Sequence, residues 1–427
     1  MPLYLAGSAR LRYIVCAILY FAQGIPYGLF SISMPAWLAS KGIEAGVIAS
    51  YLAVLALPWA FKLLSGPIMD RYRYPTMGDR RPWILAAQLG MAASFLGLIS
   101  IEDPATQIGL LMTLGVLVNV FAATQDVAVD GMAIDLVPEA EHGRINAFMS
   151  CGKAIGWAAT SAISGIMLVN YGLATTAIAA ASVSMLIWCG FLLIREREGE
   201  RLLPWSTGVA RTDSITPQSF RRMGSSLNAV LWAKTSLAVL AIMIVDGIVA
   251  GYGQALMPIA AVKVFGYSTQ QWSQLVASMG LVGAVAALTL GPAIDRIGAK
   301  RMLQLTVVLV AVHAFLLGAT QHLWTDSWYV RVMLSLWVLM NPVVMVCIIA
   351  LAMSICSGGV SATQFAVYMS VANLGSAIGA KLFGLISESQ HSNFSSYYLL
   401  LGGLLILLLT LVTVFRKDAA AALASNR

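Results

Sequence analysis

Twelve apolar segments, each roughly twenty residues long or more, follow one another along the chain and constrain its fold more than any other feature. A helix needs about 20 consecutive apolar residues to cross the hydrocarbon core of a bilayer. Hydrophobic residues make up 59% of the 427 residues and charged residues 11%, whereas a soluble domain carries about 25% charged residues. The sequence therefore predicts an all-α integral membrane protein with twelve transmembrane helices, at about 13–38, 47–65, 83–101, 107–136, 145–169, 173–194, 234–261, 270–291, 302–320, 328–355, 361–386 and 397–415.

A polar segment in the middle of the chain divides the apolar segments into two sets of six. From Arg195 to about Leu227 the chain carries six arginines and has no apolar run long enough to span a membrane. We interpret this segment as the connection between two halves. The predicted organisation is an N-terminal six-helix half at 1–194, a cytoplasmic basic linker at 195–233 and a C-terminal six-helix half at 234–427.

Two short motifs recur in the two halves at nearly constant distances. Gly24-xxx-Gly28 matches Gly247-xxx-Gly251, which lies 223 residues later, and Gly66-Pro67-xx-Asp70-Arg71 matches Gly291-Pro292-xx-Asp295-Arg296, which lies 225 residues later. Parallel repeats of this kind are typical of transporters whose solute site lies at the interface of the repeats. The recurrence therefore predicts two six-helix pseudo-repeats.

The basic residues are distributed unevenly between the two sides of the predicted helices. Twenty Lys and Arg fall in segments on the side of the N-terminus, and three, Lys41, Lys263 and Arg331, fall on the opposite side. Because Lys and Arg accumulate in cytoplasmic loops, the sequence predicts that both termini are cytoplasmic. This topology also accounts for the net charge of +7, and the dispersal of the basic residues argues against nucleic acid as a partner.

The fourth apolar segment ends with two acids on one helical face. Asp126 and Asp130 are four residues apart, so a helix places both carboxylates on the same side. Such a residue in a membrane usually faces a bundle interior or a water-filled cavity, because a carboxylate in hydrocarbon is costly. We predict that this face, together with Gln125, belongs to a solute and proton-coupling site. The alternative is a structural pair of acids near the helix end, neutralised by arginine, and it applies most strongly to Asp135.

Two further charged residues lie within predicted spans. Lys153, in the fifth span, either extends to the interface or pairs with an acid, and the expected partner is Asp126 or Asp130. Such a pair could be opened by an anionic solute or by protonation of the acid. Asp246 is the only acid well inside a predicted span of the second half. It is a candidate for proton or solute binding, with a structural role as the alternative.

Neutral polar side chains complete the predicted site. The sequence contains none of the catalytic motifs considered below. The candidates for lining a cavity are Gln23, Tyr27, Asn119, Gln364 and Asn373; hydrogen bonding between helices would explain any one of the neutral amides equally well. The four histidines are scattered without an HExxH spacing, and neither a Walker loop nor a Gly-x-Ser-x-Gly elbow occurs. The sequence therefore predicts no metal, no cofactor and no enzymatic activity.

The loops after the second and eighth spans resemble the signature of the major facilitator superfamily, Gly-xxx-Asp-Arg-x-Gly-Arg/Lys-Arg/Lys. The second copy, Gly291 to Arg301, is nearly complete, and the first is interrupted between Asp70-Arg71 and Gly78-Asp79-Arg80-Arg81. The resemblance implies two halves that rock about a solute site, with loop charges that close the cytoplasmic side. Simple topogenic charge is the alternative. The residues expected to form this gate are Gly66, Asp70, Arg71, Arg80, Arg81, Asp135, Gly291, Asp295, Arg296 and Arg301.

The interrupted first copy is similar to the muropeptide permease (AmpG-type) branch, also called the peptide–acetyl-coenzyme A transporter family. Further similarity lies in Ala123-Thr124-Gln125-Asp126-xxx-Asp130-xxxx-Asp135 and in Ala362-Thr363-Gln364-Phe365-Ala366. Two features depart from that branch: the best-known muropeptide permeases have two additional spans, and they commonly carry arginine where this chain has Lys153. Lysine keeps the charge but cannot bind a carboxylate in the bidentate manner of arginine.

The resemblance implies a proton-coupled secondary transporter that works by alternating access. Its expected partners are protons, the lipid bilayer and a large polar, anionic solute such as a siderophore or a muropeptide, of which the short twelve-span form favours the siderophore. We expect a monomer in the bacterial inner membrane. Two alternatives remain open, namely a permease specific for muropeptides and a membrane receptor that keeps the fold without transporting.

Overall fold

The computed structural model describes residues 3–72, 74, 76–138, 141–208, 231–289, 296–353, 355, 361–389 and 393–415. Two predicted gate residues, Gly291 and Asp295, and the side chain of Asp70 lie outside the described part of the chain. The helices, numbered in chain order, are α1 (Ala9–Pro26), α2 (Met34–Ser40), α3 (Ala45–Phe61), α4 (Ser65–Arg71), α5 (Arg81–Gly97), α6 (Ile108–Leu136), α7 (His142–Asn170), α8 (Gly172–Leu192), α9 (Lys234–Lys263), α10 (Thr269–Thr289), α11 (Ala299–Ala319), α12 (Ser327–Met353), α13 (Ser361–Ser389) and α14 (Phe394–Val414).

These helices occupy all twelve predicted spans, so the all-α membrane fold expected from the sequence is confirmed. Within the described residues, ten helices are long and apolar enough to cross a membrane, and α3 is a shorter apolar helix of the same kind. The remaining span corresponds to α10, which has 21 residues. Helix ends fall within a few residues of the predicted limits, because the apolar runs themselves set the lengths.

The first span changes its helical geometry in the middle. It runs as α1 to Pro26, continues as a seven-residue π-helix over Tyr27–Ser33, and resumes as α2 at Met34. Proline removes an N–H donor, and π-segments within helices occur frequently at functional sites. The clustered glycines and prolines of this span therefore mark a real interruption of its regular hydrogen bonding.

The helices pack into two compact units. The first unit contains Met1–Met34 and Phe61–Pro217; the second contains Pro35–Ala60 and Gln218–Arg427. Within the first unit α1 packs along α7, and α5 packs against α6 and α8. Within the second unit α9 packs along α13, α11 against α14, and α10 against α12. Residues 35–60 thus group with the second unit, whereas the sequence assigned them to the first half. The predicted domain limits remain a prediction.

The repeated glycine pairs have the same structural role in the two units. Gly24 of α1 and Gly28 of the π-helix that follows it lie against the backbone of α7, and Gly247 and Gly251 of α9 lie against the backbone of α13. A Cβ atom at Gly251 would overlap the carbonyl oxygen of Ser376. Small residues let membrane helices approach closely, so the Gly-xxx-Gly repeat seen in the sequence is a helix-packing motif in both units.

This close approach predicts a large difference between two glycine-to-alanine variants. We expect Gly251→Ala to destabilise the protein by about 2–3 kcal/mol, because the added methyl group forces two packed backbones apart. Gly190→Ala in α8 is the control: a Cβ there meets no described atom within 4 Å, and alanine favours a helix by about 0.5–1 kcal/mol over glycine. Thermal unfolding of the detergent-solubilised protein measures both. Equal unfolding temperatures for the two variants would contradict this packing.

Candidate functional site

Four helical segments of the first unit bring five polar side chains together. Tyr20 comes from α1, Lys62 from the 3-10 turn that follows α3, Asp126 and Asp130 from α6, and Lys153 from α7. We call these residues the ion-pair cluster. Three of its members, Asp126, Asp130 and Lys153, are residues that the sequence singled out.

Asp126 lies between the two lysines. Lys62 Nζ donates to Asp126 Oδ2 over 2.8 Å, and Lys153 Nζ lies 3.8 Å from Asp126 Oδ1. The Asp126 side chain is 4% exposed, against 20% for Lys62 and 38% for Lys153. A buried carboxylate needs a paired charge. Here two lysines supply it, one that precedes Asp126 in the chain and one that follows it.

Asp130 is held differently, by a neutral donor. The Tyr20 hydroxyl donates to Asp130 Oδ1, and Lys153 Nζ lies 5.7 Å from the centre of the Tyr20 ring, within the range of a cation–π contact. The helical spacing of four residues therefore places two acids on one face, as expected, yet gives them different partners. Asp126 pairs with cations and Asp130 with a hydroxyl group.

Lys62 and Tyr20 are the two members that the sequence analysis did not single out. Lys62 lies inside the second predicted span, and nothing in its local sequence indicates a partner 64 positions away. The available signal was its place within a predicted span, since basic residues there are rare and commonly functional.

Three further predicted residues of the first unit lie near this cluster in sequence. Gln125 is buried, and its Nε2 donates to the Leu19 carbonyl over 3.0 Å, which ties α6 to α1 beside Tyr20. Gln23 is fully buried, and both polar atoms of its side chain lack a partner within the described residues. Asn119 donates to its own helix at Gly115 over 2.8 Å.

The predicted residues of the second unit do not form a comparable cluster. Gln364 Nε2 donates to the Tyr368 hydroxyl over 2.6 Å, and Asn373 Nδ2 donates to the Trp59 carbonyl over 3.1 Å. Asp246 lies in the middle of α9 and is partly exposed. Tyr27, in the π-helix of the first unit, is 46% exposed and meets Trp157 edge to face.

The predicted gate residues divide into buried and exposed groups. Arg80 is buried, and its Nε lies 3.2 Å from Asp135 Oδ2. Arg71, Arg296 and Arg301 are exposed, and the Arg71 guanidinium lies 6.0 Å from the centre of the Tyr72 ring. Among the described residues, Val127 is the one near the position of a Cβ on Gly66, at 3.9 Å.

Arg81 belongs to a structure that we call the end clasp, formed by two short strands, the start of α5 and Glu196. Strand β1 (Leu3–Tyr4) pairs in parallel with β2 (Ile194–Arg195). Arg81 is fully buried. Its guanidinium donates to the Leu192 and Ile194 carbonyls, each over 2.6 Å, and to the Arg201 carbonyl over 3.3 Å. The beginning of the predicted linker is thus bonded to the first unit.

Glu196 is the centre of the end clasp and was missed by the sequence analysis, which assigned it to the linker. Its carboxyl group accepts the backbone N–H groups of Asp79, Arg80 and Arg81 over 2.9, 2.8 and 2.5 Å. Burial and the neighbouring Glu200 raise the pKa of Glu196 to about 7, although the three N–H donors act in the opposite direction. The free N–H groups at a helix start favour an acceptor, which explains why a carboxyl group is seated there.

Arg12 forms a second set of polar contacts, separate from those of the end clasp. Arg12 donates to the Leu5 and Ala6 carbonyls and forms an ion pair of 3.0 Å with Glu141. Hydrogen bonds from Tyr13 and Arg12 lower the pKa of the Glu141 carboxyl group. Within the described residues, no group of three or more His, Cys, Asp or Glu side chains is arranged to hold a metal ion.

The family follows from a match that extends over most of the chain. A family model of the Major Facilitator Superfamily matches residues 16–380. The chain belongs to the major facilitator superfamily. The resemblance read from the two loop motifs is thereby confirmed at the level of the family.

Sequence relatives lie in the branch that the interrupted loop motif indicated. The anhydromuropeptide permease of Escherichia coli K12 is 32% identical over 171 residues, which are 40% of this chain and 32% of that protein. A putative transporter AmpG 4 of Rickettsia conorii is 27% identical over 148 residues, or 34% of this chain and 35% of that protein. The chain therefore aligns with about a third of the length of these relatives.

Solved structures with the same fold are those of transporters. The D-xylose-proton symporter has a TM-score of 0.73 at 13% identity, covering 97% of this chain and 99% of that one. The nucleoside transporter NupG has a TM-score of 0.70 at 12% identity, covering 95% of this chain and 98% of that one. At such identities the likeness shows the fold alone. The prediction that the chain is not an enzyme agrees with its membership of the major facilitator superfamily.

Proposed function

We propose that the chain is a proton-coupled secondary transporter that imports a large polar, anionic solute by alternating access. The observation that carries this proposal is the position of Asp126 between Lys62 and Lys153 within membrane-spanning segments. Ionisable groups at this depth usually mark solute or proton pathways. We further propose that the protein works as a monomer in the bacterial inner membrane with both termini in the cytoplasm.

The two lysines supply the means to bind an anion. A carboxylate of the solute that reaches Lys62 and Lys153 competes with Asp126 for the same ammonium groups. Lys153 is the more exposed of the two and has the longer distance to Asp126, so the solute meets it first. Losing one lysine weakens the electrostatic hold on Asp126, which then binds a proton more readily. Solute binding and protonation thus favour one another.

Asp130 and Gln125 serve the same site in different ways. Asp130 is bonded to the Tyr20 hydroxyl and can exchange a proton with Asp126 one helical turn away. Gln125 fixes α6 to the Leu19 carbonyl of α1, so a shift of one helix moves the other. Asp246 in the second unit, and Gln23, Tyr27, Asn119, Gln364 and Asn373 as lining residues, remain predictions.

The gate residues are proposed to open and close one side of the membrane. The Arg80–Asp135 pair, which spans 3.2 Å between α6 and the start of α5, is the described contact that favours this role. Arg71, Arg81, Arg296 and Arg301, with Gly66, Asp70, Gly291 and Asp295, complete the proposed gate.

Among anionic solutes we propose a muropeptide before a siderophore. The similarity to the anhydromuropeptide permease of Escherichia coli supports this order, and the coincidence of the Asp126-xxx-Asp130 face with that branch supports it further. A receptor without transport remains the alternative from another class.

Uptake by reconstituted protein tests the proposal. We expect liposomes with an imposed inward proton gradient to accumulate a muropeptide, and a protonophore to abolish the accumulation. Ferric and iron-free siderophores are tested in parallel, and empty liposomes are the control. Accumulation that persists with the protonophore would contradict proton coupling. Binding of a solute without any uptake would favour the receptor.

A further inference from the structure

The second unit carries a lone carboxyl group at a position where the first unit carries a neutral amide. Asp246 directly precedes Gly247 in α9, and Gln23 directly precedes Gly24 in α1. The two glycines pack alike: a Cβ on Gly24 would crowd the Lys153 carbonyl of α7, and one on Gly247 would crowd the Ala372 carbonyl of α13. Asp246 is therefore the structural counterpart of Gln23.

The same correspondence identifies what the second unit lacks. Because Gly24 meets the Lys153 carbonyl and Gly247 meets that of Ala372, the counterpart of Lys153 is an alanine. The counterpart of Tyr20, 223 positions later, is Met243. The lysine and the tyrosine that accompany the acids of the first unit thus have no equivalents around Asp246.

No described neighbour of Asp246 supplies a positive charge. α9 packs against α10, α13 and α14, and neither α10 nor α14 carries a charged side chain. On α13, Lys381 donates to Ser50 Oγ over 3.0 Å, and Glu388 contacts Gly46. Within the described residues Asp246 has neither a hydrogen bond nor an ion pair.

A carboxylate at this position lowers the stability of the folded protein, because no described partner compensates its charge. An unpaired charge in a membrane helix is expensive, and a purely structural position is served better by the neutral amide that the first unit has. The side chain is partly exposed, so protein atoms do not enclose its carboxyl group on every side. An ammonium group suits such a carboxylate best, since it brings a full opposite charge and three N–H donors.

We propose that Asp246 binds a positively charged amino group of the transported solute. This inference rests on the proposed function and adds to it a solute class, namely one that carries an amino group in addition to its acidic groups.

Two forms of one solute test the proposal. A muropeptide whose stem peptide has a free amino group is compared with the same molecule after N-acetylation, in transport by liposomes and in direct binding to the purified protein. We expect the wild type to prefer the free amine by about tenfold or more in KM and Kd, because a hydrogen bond to a charged group contributes about that much. Asp246→Asn should give equal values for the two forms. Asp246→Glu should keep the preference, which shows that a folded site is compared.

The control variant and the outcomes that would contradict the role of Asp246 differ from those that test the proposed function. Glu388→Gln removes an exposed acid from the same unit and should behave as the wild type. Equal affinities of the wild type for both forms, or a preference that survives in Asp246→Asn, would overturn the proposal. Loss of uphill accumulation for both forms with solute exchange intact would make Asp246 a proton-binding residue instead. If the wild type binds both forms but transports neither, the proposed function fails, and the binding comparison still decides the role of Asp246.

Discussion

Asp126→Asn should reduce uphill accumulation of the solute by about 100-fold or more. Asparagine cannot carry a proton, and it leaves Lys62 and Lys153 without the carboxylate that lies 2.8 and 3.8 Å from them. Removing one partner of a buried ion pair also costs about 3–5 kcal/mol of folding stability, which is an effect separate from the loss of coupling. Uptake into liposomes under an imposed proton gradient, at matched protein content, measures the effect.

Solute exchange separates the loss of coupling from a loss of folding. Exchange of internal for external solute needs no net proton movement, so a folded Asp126→Asn protein should retain part of it. The double variant Lys62→Met with Asp126→Asn removes one unpaired lysine and should recover thermal stability without recovering uphill uptake. Glu102→Gln changes an exposed acid and should leave uptake unaltered. Unchanged accumulation in Asp126→Asn would remove this residue from the mechanism.

Arg81→Met should be the most destabilising single change in the end clasp, by about 3–5 kcal/mol. Its guanidinium donates to the Leu192, Ile194 and Arg201 carbonyls. Methionine leaves these acceptors unsatisfied. It also removes one positive charge near the buried Glu196, which keeps its contact of 3.9 Å with Arg197. Arg81→Lys should lose less, because one ammonium group can still reach part of this set of acceptors. The midpoint of thermal unfolding in detergent measures both variants.

Arg71→Met provides the matched control for the clasp. Arg71 is an exposed arginine ten positions before Arg81, and its replacement should change stability by no more than about 0.5 kcal/mol. A double-mutant cycle with Glu196→Gln then isolates the coupling between Arg81 and Glu196. Strictly additive losses, or an Arg81→Met protein that unfolds at the temperature of the wild type, would show that the clasp bonds contribute little.

The sequence predicted those features of the fold that are local in the chain. Apolar runs such as Ile108–Leu136 determine where membrane helices begin and end, so α6 was predicted to within one residue. The spacing of Asp126 and Asp130 predicted a shared face for the same reason. The glycines and prolines of the first span accompany an interruption of its helix, but they do not indicate its π geometry over Tyr27–Ser33.

What the sequence could not predict depends on side chains that meet across long separations. Lys62 and Asp126 are joined across 64 positions, and Glu196 meets the start of α5 across 115 to 117. A lysine in a span or a glutamate in a polar segment looks the same in sequence whether or not it has a partner. Their roles became visible only when packing placed the partner groups beside them.

The strand pair of the end clasp imposes an order on biosynthesis. Leu3 pairs with Ile194, so β1 leaves the ribosome long before its partner exists. At about 5–20 residues per second, the wait is roughly 10–40 seconds, during which the intervening helices α1 to α8 are made. The final closure of the first unit therefore follows the synthesis of its last helix, and until then its earliest segment is exposed to chaperones and proteases.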